Sequence, residues 1–242
     1  MVHIGDAGGI GGHIRHYKLR PLLTQHLFQL FEHHVIGEIA LQEIGAASSG
    51  AFDVEYCRTA ADVARMLTGE ELTRFGAVVF ANTTGNLGIA DMPGLLQWIS
   101  SGRGFVGVHS AADTYHDDTR FLDMLGGEFL EHGAIVSTEV EVADGGHPAV
   151  AHLAPRFTVE DEFYRFTRFD RGSVSVLLTL RRNPADGVGV AGAAVDLPLA
   201  WTRRFGEGRV FYTALGHRSD LWRDARFRQH LLGGIRSVLP SP

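Results

Sequence analysis

Helical and strand patterns alternate between residues 35 and 113, and this alternation constrains the fold more than any other feature of the chain. Apolar residues recur at helical spacing over 35–44, 60–72 and 91–100. Short apolar or alternating runs predict strands at 52–56, 77–80 and 105–108. Because strands joined by a crossover helix in one sheet run parallel, the pattern predicts an α/β fold with a mainly parallel sheet.

The second half of the chain has a different pattern. Residues 135–142 alternate as a half-exposed strand, and residues 174–180 form another long β run. A hairpin is predicted within residues 198–213, and a helix over 221–239 closes the chain. These strands are expected to add antiparallel pairs to the sheet.

We expect a single domain that follows an irregular arm. Residues 1–19 are rich in Gly and His without a sustained period, and they are predicted to form that arm. The α/β domain is assigned to residues 20–242, a length at which a chain buries a substantial core. Its first strand is predicted at 22–27, although a helix fits the same residues nearly as well.

Charge, hydropathy and cysteine content exclude several classes of protein. A net charge of −6 argues against a general nucleic-acid binder, whose affinity depends on a basic face. No window approaches the roughly 18 apolar residues of a membrane span, and no signal-peptide pattern is present, so we expect a cytoplasmic location. A single cysteine, Cys57, excludes an intramolecular disulfide and a Cys-based zinc site. The 13 histidines stand out, because histidine suits proton transfer near neutral pH and metal binding.

A tight strand-to-helix turn is predicted where the apolar run 105–108 meets His109. In α/β enzymes such a turn holds its apex side chain at the C-terminal edge of the sheet, where ligands bind. The apex is usually a Ser or Cys nucleophile, whereas this chain has His109, with Ser110 beside it. The alternative is a histidine that only fills the turn and forms local hydrogen bonds.

Other polar residues also follow predicted strands, so they are expected to meet at the same sheet edge. His217 follows the strand of residues 209–213, and Asp113 follows the turn at His109. Asn82, Thr83 and Thr84 follow the strand 77–80. Their hydroxyl and amide groups suit the binding of a hydroxyl-rich ligand, and the alternative is that they form a hydrogen-bonded turn.

Residues 161–164 place two acids beside two aromatic residues. A carboxylate against aromatic walls tends to have a raised pKa, which suits general acid or base catalysis, and an aromatic face suits a sugar. Glu162 and Tyr164 are therefore candidates, although the acidic run 160–162 also fits a solvated turn. No strong metal motif, Walker A loop or dinucleotide fingerprint is present, so we expect no nucleotide cofactor, while dispersed His and carboxylate ligands stay possible.

Four segments in this order resemble the ThuA-like (trehalose utilisation) family: residues 75–84, 104–113, 161–164 and 208–234. The resemblance covers about residues 30–239. It implies a flavodoxin-like three-layer sandwich, similar to class I glutamine amidotransferases, with antiparallel strands added to a mainly parallel sheet. Amidotransferases of that fold use a Cys at the elbow, where this chain has His109, so their thiol chemistry is excluded. The chain departs from the family before His33, where members have a clean strand and a Thr/Gly-rich loop.

The family is linked to sugar catabolism, commonly beside oxidoreductases that make 3-keto sugars, so the resemblance implies action on a 3-keto-glycoside. The expected catalytic residues are His109, Glu162 and His217. A divalent metal ion is expected at His109 and His217, with either His132 or Glu162 as a further ligand. The expected substrate contacts are His33, Asn82, Thr83, Thr84, Ser110, Asp113 and Tyr164.

The implied partner is a small carbohydrate, and a homo-oligomer is left open. Two other functions are considered. One is a noncatalytic module that binds a sugar or a partner protein, and the other is an amidase or esterase that uses Ser110 with His217. The second is disfavoured because Ser110 lies one position beyond the apex of the turn.

Overall fold

The computed structural model describes residues 25–31, 35–48, 52–184 and 191–240. The predicted arm of residues 1–19 and the candidate His33 lie outside the described residues. The helices are α1 (Val35–Ala47), α2 (Ala60–Met66), α3 (Gly69–Leu72), α4 (Met92–Ser100), α5 (Thr119–Leu125) and α6 (Ala225–Val238).

The strands of the first half are β1 (Gln25–Phe31), β2 (Phe52–Cys57), β3 (Ala77–Ala81), β4 (Gly104–Val108) and β5 (Glu128–His132). Those of the second half are β6 (Val136–Val142), β7 (Arg156–Asp161), β8 (Tyr164–Thr167), β9 (Ser175–Arg182), β10 (Ala194–Phe205) and β11 (Gly208–Thr213).

Nine of these strands form one mixed sheet in the order β2-β1-β3-β4-β11-β10-β9-β6-β7. The first five are parallel to one another, in the 2-1-3-4-5 order of flavodoxin-like folds when β11 is counted as the fifth strand. The remaining pairs are antiparallel. Strands β5 and β8 pair separately as a small antiparallel sheet. The predicted α/β fold with added antiparallel strands is confirmed.

Helices cover both faces of the parallel strands, which gives the sandwich its three layers. On β4, Val106 packs in the same core cluster as Ile44 of α1 and Ile235 of α6. Phe105 points to the other face, because side chains alternate along a strand. There its ring lies 5.8 Å from that of Phe121 in α5, centroid to centroid. Every residue of β3 and β4 is buried, as their uninterrupted apolar runs predict.

Two predicted helices are each divided in the structure. The pattern over 60–72 gives α2 and α3, and Thr68 is the N-cap of the second helix. The pattern over 221–239 gives a 3₁₀ turn at Leu221–Arg223 followed by α6. Asp224 begins α6 by accepting the N–H of Arg226 at 2.7 Å, because a short acidic side chain satisfies an otherwise unpaired helix donor.

Several elements differ from the sequence-based expectation. The first strand spans residues 25–31 rather than 22–27. Strands β5, β7 and β8 and helix α5 were not predicted. Each of these three strands has only two apolar residues, which gives a weak pattern, and β5 has an irregular register with β8 between Phe129 and Glu131. Within the described part of the chain, every helix is too short or too polar to cross a membrane.

Candidate active site

His109 occupies the apex of the turn that follows β4. Its φ of 51° lies in the left-handed region, which costs a non-glycine residue about 1–3 kcal/mol. The hydroxyl of Tyr212, on the neighbouring strand β11, donates to the carbonyl oxygen of His109 at 2.7 Å and holds the turn. Such strain is found mostly at functional sites, so the conformation favours a role for this side chain beyond filling the turn.

The two ring nitrogens of His109 have different hydrogen-bond partners. Nδ1 lies 2.8 Å from the carbonyl oxygen of Ala214, which only accepts, so Nδ1 carries the proton. Nε2, the other ring nitrogen, lies 2.7 Å from the Tyr164 hydroxyl and 3.4 Å from Glu162 Oε2. Burial raises the pKa of Tyr164, so its hydroxyl stays protonated.

Glu162 follows β7 directly and contacts three histidines. Its Oε2 lies 3.4 Å from His109 Nε2 and 3.5 Å from His217 Nδ1, and its Oε1 lies 2.9 Å from His132 Nδ1. Burial alone acts to raise the pKa of Glu162, but the hydrogen bond from His109 and the charges of the three histidines outweigh it. The pKa of Glu162 is therefore lowered, whereas the aromatic surroundings predicted a raised value. An ionised carboxylate at neutral pH is equipped to accept a proton.

His217 lies in the loop after β11 and completes a compact group of ligand atoms. Its Nδ1 is 3.2 Å from His109 Nε2, across the edge where β4 and β11 end side by side. One ligand atom each from His109, Glu162 and His217 lies within 4.8 Å of the others. Three lone pairs at this spacing suit a shared proton or a divalent cation.

An open cleft surrounds this group, with an empty volume of about 790 Å³ including solvent at its mouth. It is lined by Asn82, Thr84, His109, Ser110, Asp113, Phe129, His132, Glu162, Tyr164 and His217. Sequence analysis singled out all of these except Phe129. Its ring lies 4.5 Å from that of Tyr164, centroid to centroid, and the two form an aromatic wall.

The polar segment after β3 combines both predicted roles. Asn82 and Thr84 line the cleft, and Asn82 also donates from Nδ2 to the carbonyl oxygen of Gly216 at 3.1 Å. Thr83 is fully buried and lies outside the cleft, with its hydroxyl 2.8 Å from that of Thr114. The segment is therefore a hydrogen-bonded turn that presents two of its three polar side chains.

His132 lies beside the ligand group but outside it. Its Nδ1 faces Glu162 Oε1 and the carbonyl oxygen of Gly133, both at 2.9 Å. The structure thus places His132 against the carboxylate oxygen that His109 and His217 do not contact. In this position it orients Glu162.

A second group of hydrogen-bonded acids and a histidine lies at the rim of the cleft. His116 Nε2 is 2.6 Å from Asp113 Oδ1, and His116 Nδ1 is 2.8 Å from Glu128 Oε1. Hydrogen bonds to the two carboxylates raise the pKa of His116, which favours the imidazolium form that donates from both nitrogens. Sequence analysis missed His116 and Glu128, although the three-residue spacing of Asp113 and His116 is a local signal for such a pair.

Other histidines have structural environments. His230 is on the buried face of α6, and its Nδ1 lies 2.9 Å from the carbonyl oxygen of Ala149. Burial lowers the pKa of His230 to about 4, so this ring is neutral at pH 7. His152 bonds through Nε2 to the carbonyl oxygen of Arg226 at 2.9 Å. A large number of histidines in a sequence is thus a weak indicator of where the site lies.

Comparisons with known proteins agree with this architecture. The model of the ThuA family, described as trehalose utilisation, matches residues 27–237. A ThuA-like protein from Bacteroides uniformis is similar in structure, with a TM-score of 0.69, 23% identity, and 93% of this chain and 94% of the other covered. A ThuA-like protein from Parabacteroides merdae has a TM-score of 0.69, 18% identity and 89% coverage of both chains.

A cytoplasmic protein from Salmonella typhimurium is also similar, with a TM-score of 0.62 and 12% identity over 90% of this chain and 100% of the other. At these identities the solved structures show a common fold and no more. A search of curated proteins gave no match.

Proposed function

The chain belongs to the ThuA (trehalose utilisation) family, and from the geometry of its cleft we propose that it is an enzyme acting on an oxidised, 3-keto glycoside. The observation that carries the proposal is the ionised, largely buried carboxylate of Glu162, 3.4–3.5 Å from ring nitrogens of His109 and His217. A cytoplasmic location is part of the proposal, supported by similar Salmonella typhimurium proteins described as cytoplasmic.

The proposed chemistry begins with a proton next to a ketone. A carbonyl at C3 of a sugar acidifies the C2–H bond, so a positioned base removes that proton and leaves an enolate. The enolate electrons then form the C1–C2 double bond as the C1–O glycosidic bond breaks. The leaving oxygen takes a proton from a general acid, and addition of water across the double bond completes a net hydrolysis. Return of the proton at another position gives isomerisation instead.

Glu162 is the proposed base, and His217 is the proposed acid or electrophile. His109 is the alternative base, but its side chain is only 3% exposed and its Nε2 lies 2.7 Å from the Tyr164 hydroxyl. The side chain of His217 is 41% exposed, so it reaches both the carboxylate and a molecule in the cleft. A cation or donor at this position stabilises negative charge on the ketone oxygen as the proton leaves.

His109 Nε2, Glu162 Oε2 and His217 Nδ1 also fit a divalent metal ion. Two imidazole nitrogens and one carboxylate oxygen are a common donor set for transition metals. A bound ion would polarise the ketone as a Lewis acid. Glu162 Oε1, which faces His132, is then the oxygen left to receive the proton.

The remaining lining residues suit a carbohydrate. Phe129 is partly exposed and offers its ring, Tyr164 packs behind it, and the short polar side chains around them offer hydrogen bonds to hydroxyl groups. Those polar residues are Asn82, Thr84, Ser110 and Asp113. The same wall and donors suffice for binding without turnover, which supports a sugar-binding module as the second candidate function.

The two candidates predict different results with 3-keto-trehalose and trehalose. We expect the keto sugar to be converted and trehalose to remain intact, because an unoxidised glycoside has no comparably acidic C–H bond. Product formation is followed by NMR or chromatography, with a protein-free sample to subtract spontaneous decay of the keto sugar. If calorimetry shows that both sugars bind alike while neither is converted, the protein is a binding module.

A further inference from the structure

The backbone N–H groups of the two residues that flank His217 are held by one buried carboxylate. Asp161, the last residue of β7, is fully buried. Its Oδ2 accepts the N–H of Gly216 at 2.7 Å, and its Oδ1 accepts the N–H of Arg218 at 3.2 Å. The two oxygens of one side chain therefore bind the amides that immediately flank His217.

The carbonyl group between these amides is fixed as well. The oxygen of Gly216 accepts from Asn82 Nδ2 at 3.1 Å and from Trp222 Nε1 at 2.8 Å. Gly216 has a φ of 124°, a conformation that side-chain-bearing residues rarely adopt, and a Cβ there would lie 3.0 Å from Val108 Cγ1. The backbone at His217 is thus held from three directions in a conformation that only glycine adopts easily.

Burying the Asp161 carboxylate has a cost in folding free energy, and the need to fill space in the core does not explain it. Asp161 is fully buried, so its carboxylate loses the hydration that a charged group has in water, and the N–H groups of Gly216 and Arg218 replace only part of it. An apolar side chain of similar size would fill the same space without a desolvation penalty. The His217 side chain is 41% exposed, so close packing around its ring does not fix its position. The position of the ring therefore depends on the backbone that carries it.

We propose that Asp161 is a positioning residue that sets His217 against Glu162 and His109. Glu162 is the next residue in the chain, so the end of β7 places the carboxylate directly and places His217 through Asp161. The effect on catalysis rests on the proposed function, whereas the effect on the loop does not. Asp161 binds backbone amides and does not line the cleft, so it acts on the site without touching a molecule bound there.

The test compares Asp161→Asn with Glu160→Gln. Asn keeps one acceptor oxygen and the shape of the side chain, while Glu160 is an exposed neighbour that pairs with the Arg218 side chain at 2.9 Å. In Asp161→Asn we expect the amide protons of Gly216 and Arg218 to exchange at least about tenfold faster, and the ring signals of His217 to move in a ¹H–¹⁵N spectrum. In Glu160→Gln the two amide exchange rates and the His217 ring signals are expected to match the wild type, since exposed ion pairs contribute little to stability.

Turnover gives the second readout. Displacement of a catalytic group by about 1 Å costs up to about 100-fold, so we expect Asp161→Asn to lower kcat about 10- to 100-fold, with KM within about twofold. Asp161→Leu, which keeps no hydrogen-bond acceptor, is expected to lower kcat further. Unchanged exchange and ring signals in Asp161→Asn would overturn the proposal, and so would faster exchange with unchanged kcat. If the wild type converts no keto sugar, the proposed function fails, while the exchange and ring signals still decide the role of Asp161.

Discussion

Replacing Glu162 by Gln is expected to lower the turnover of a 3-keto-glycoside about 100-fold or more, within the range of general acid–base loss. Gln has the same shape and still accepts a hydrogen bond from His132, but it has no carboxylate to receive the C2 proton. Substrate binding is expected to be largely retained, so the loss should appear in kcat rather than in KM. Steady-state kinetics with purified protein measure both constants.

His217→Ala is expected to lose turnover on the same scale, because it removes the acid or electrophile. Both variants should stay folded, which circular dichroism and thermal melting check. Glu160→Gln serves as the matched control, since it removes a carboxylate from the same strand end without touching the cleft. Turnover of Glu162→Gln within about threefold of the wild type would remove Glu162 from the role of base.

Removing the His109 ring is expected to abolish metal binding. If the three-residue group holds a cation, protein purified without chelator should contain a divalent metal in near-stoichiometric amount, and His109→Ala should lose most of it. The remaining Glu162 and His217 supply only two of the three ligand atoms that the structure brings together. Elemental analysis of the two proteins measures the difference.

His116→Ala is the matched control for this experiment. It removes a nearby histidine that bonds two carboxylates but does not belong to the three-residue group, so it should retain the metal. A wild-type protein that is fully active without metal would contradict the metal site. The histidines would then act by proton transfer alone.

Sequence patterns predict the part of the site that parallel strands build. His109 and His217 each follow a strand, and β4 and β11 are neighbours in the sheet, so their meeting at one edge follows from strand direction. The 3.2 Å separation of their ring nitrogens agrees with that expectation. The apolar run before His109 also indicates the buried strand that supports the turn.

The rest of the site depends on contacts between distant parts of the chain. Strand β7 lies at the far end of the sheet order, yet Asp161 bonds the loop after β11, 55 residues later. No local period indicates such a contact. Phe129 and His132 reach the cleft from β5, an irregular strand with only two apolar residues, so its sequence gives little signal.

The direction of the Glu162 pKa shift also depends on contacts that the sequence does not indicate. Aromatic neighbours in the sequence suggest desolvation, and burial does act to raise this pKa. Three histidines contributed by separate segments reverse the sign, and only the folded structure brings them together. The lowered pKa keeps Glu162 ionised at neutral pH, which is the form that accepts a proton.

Removal of the C2 proton of a keto sugar by this cleft is tested most directly in D₂O. 3-Keto-trehalose is incubated with wild-type protein, with Glu162→Gln and without protein, and the C2–H signal is followed by ¹H NMR. We expect the wild type to replace C2–H with deuterium, in the substrate or in its product, much faster than either other sample. A C2–H signal that persists with wild-type protein as long as it does in buffer would contradict the proposed deprotonation.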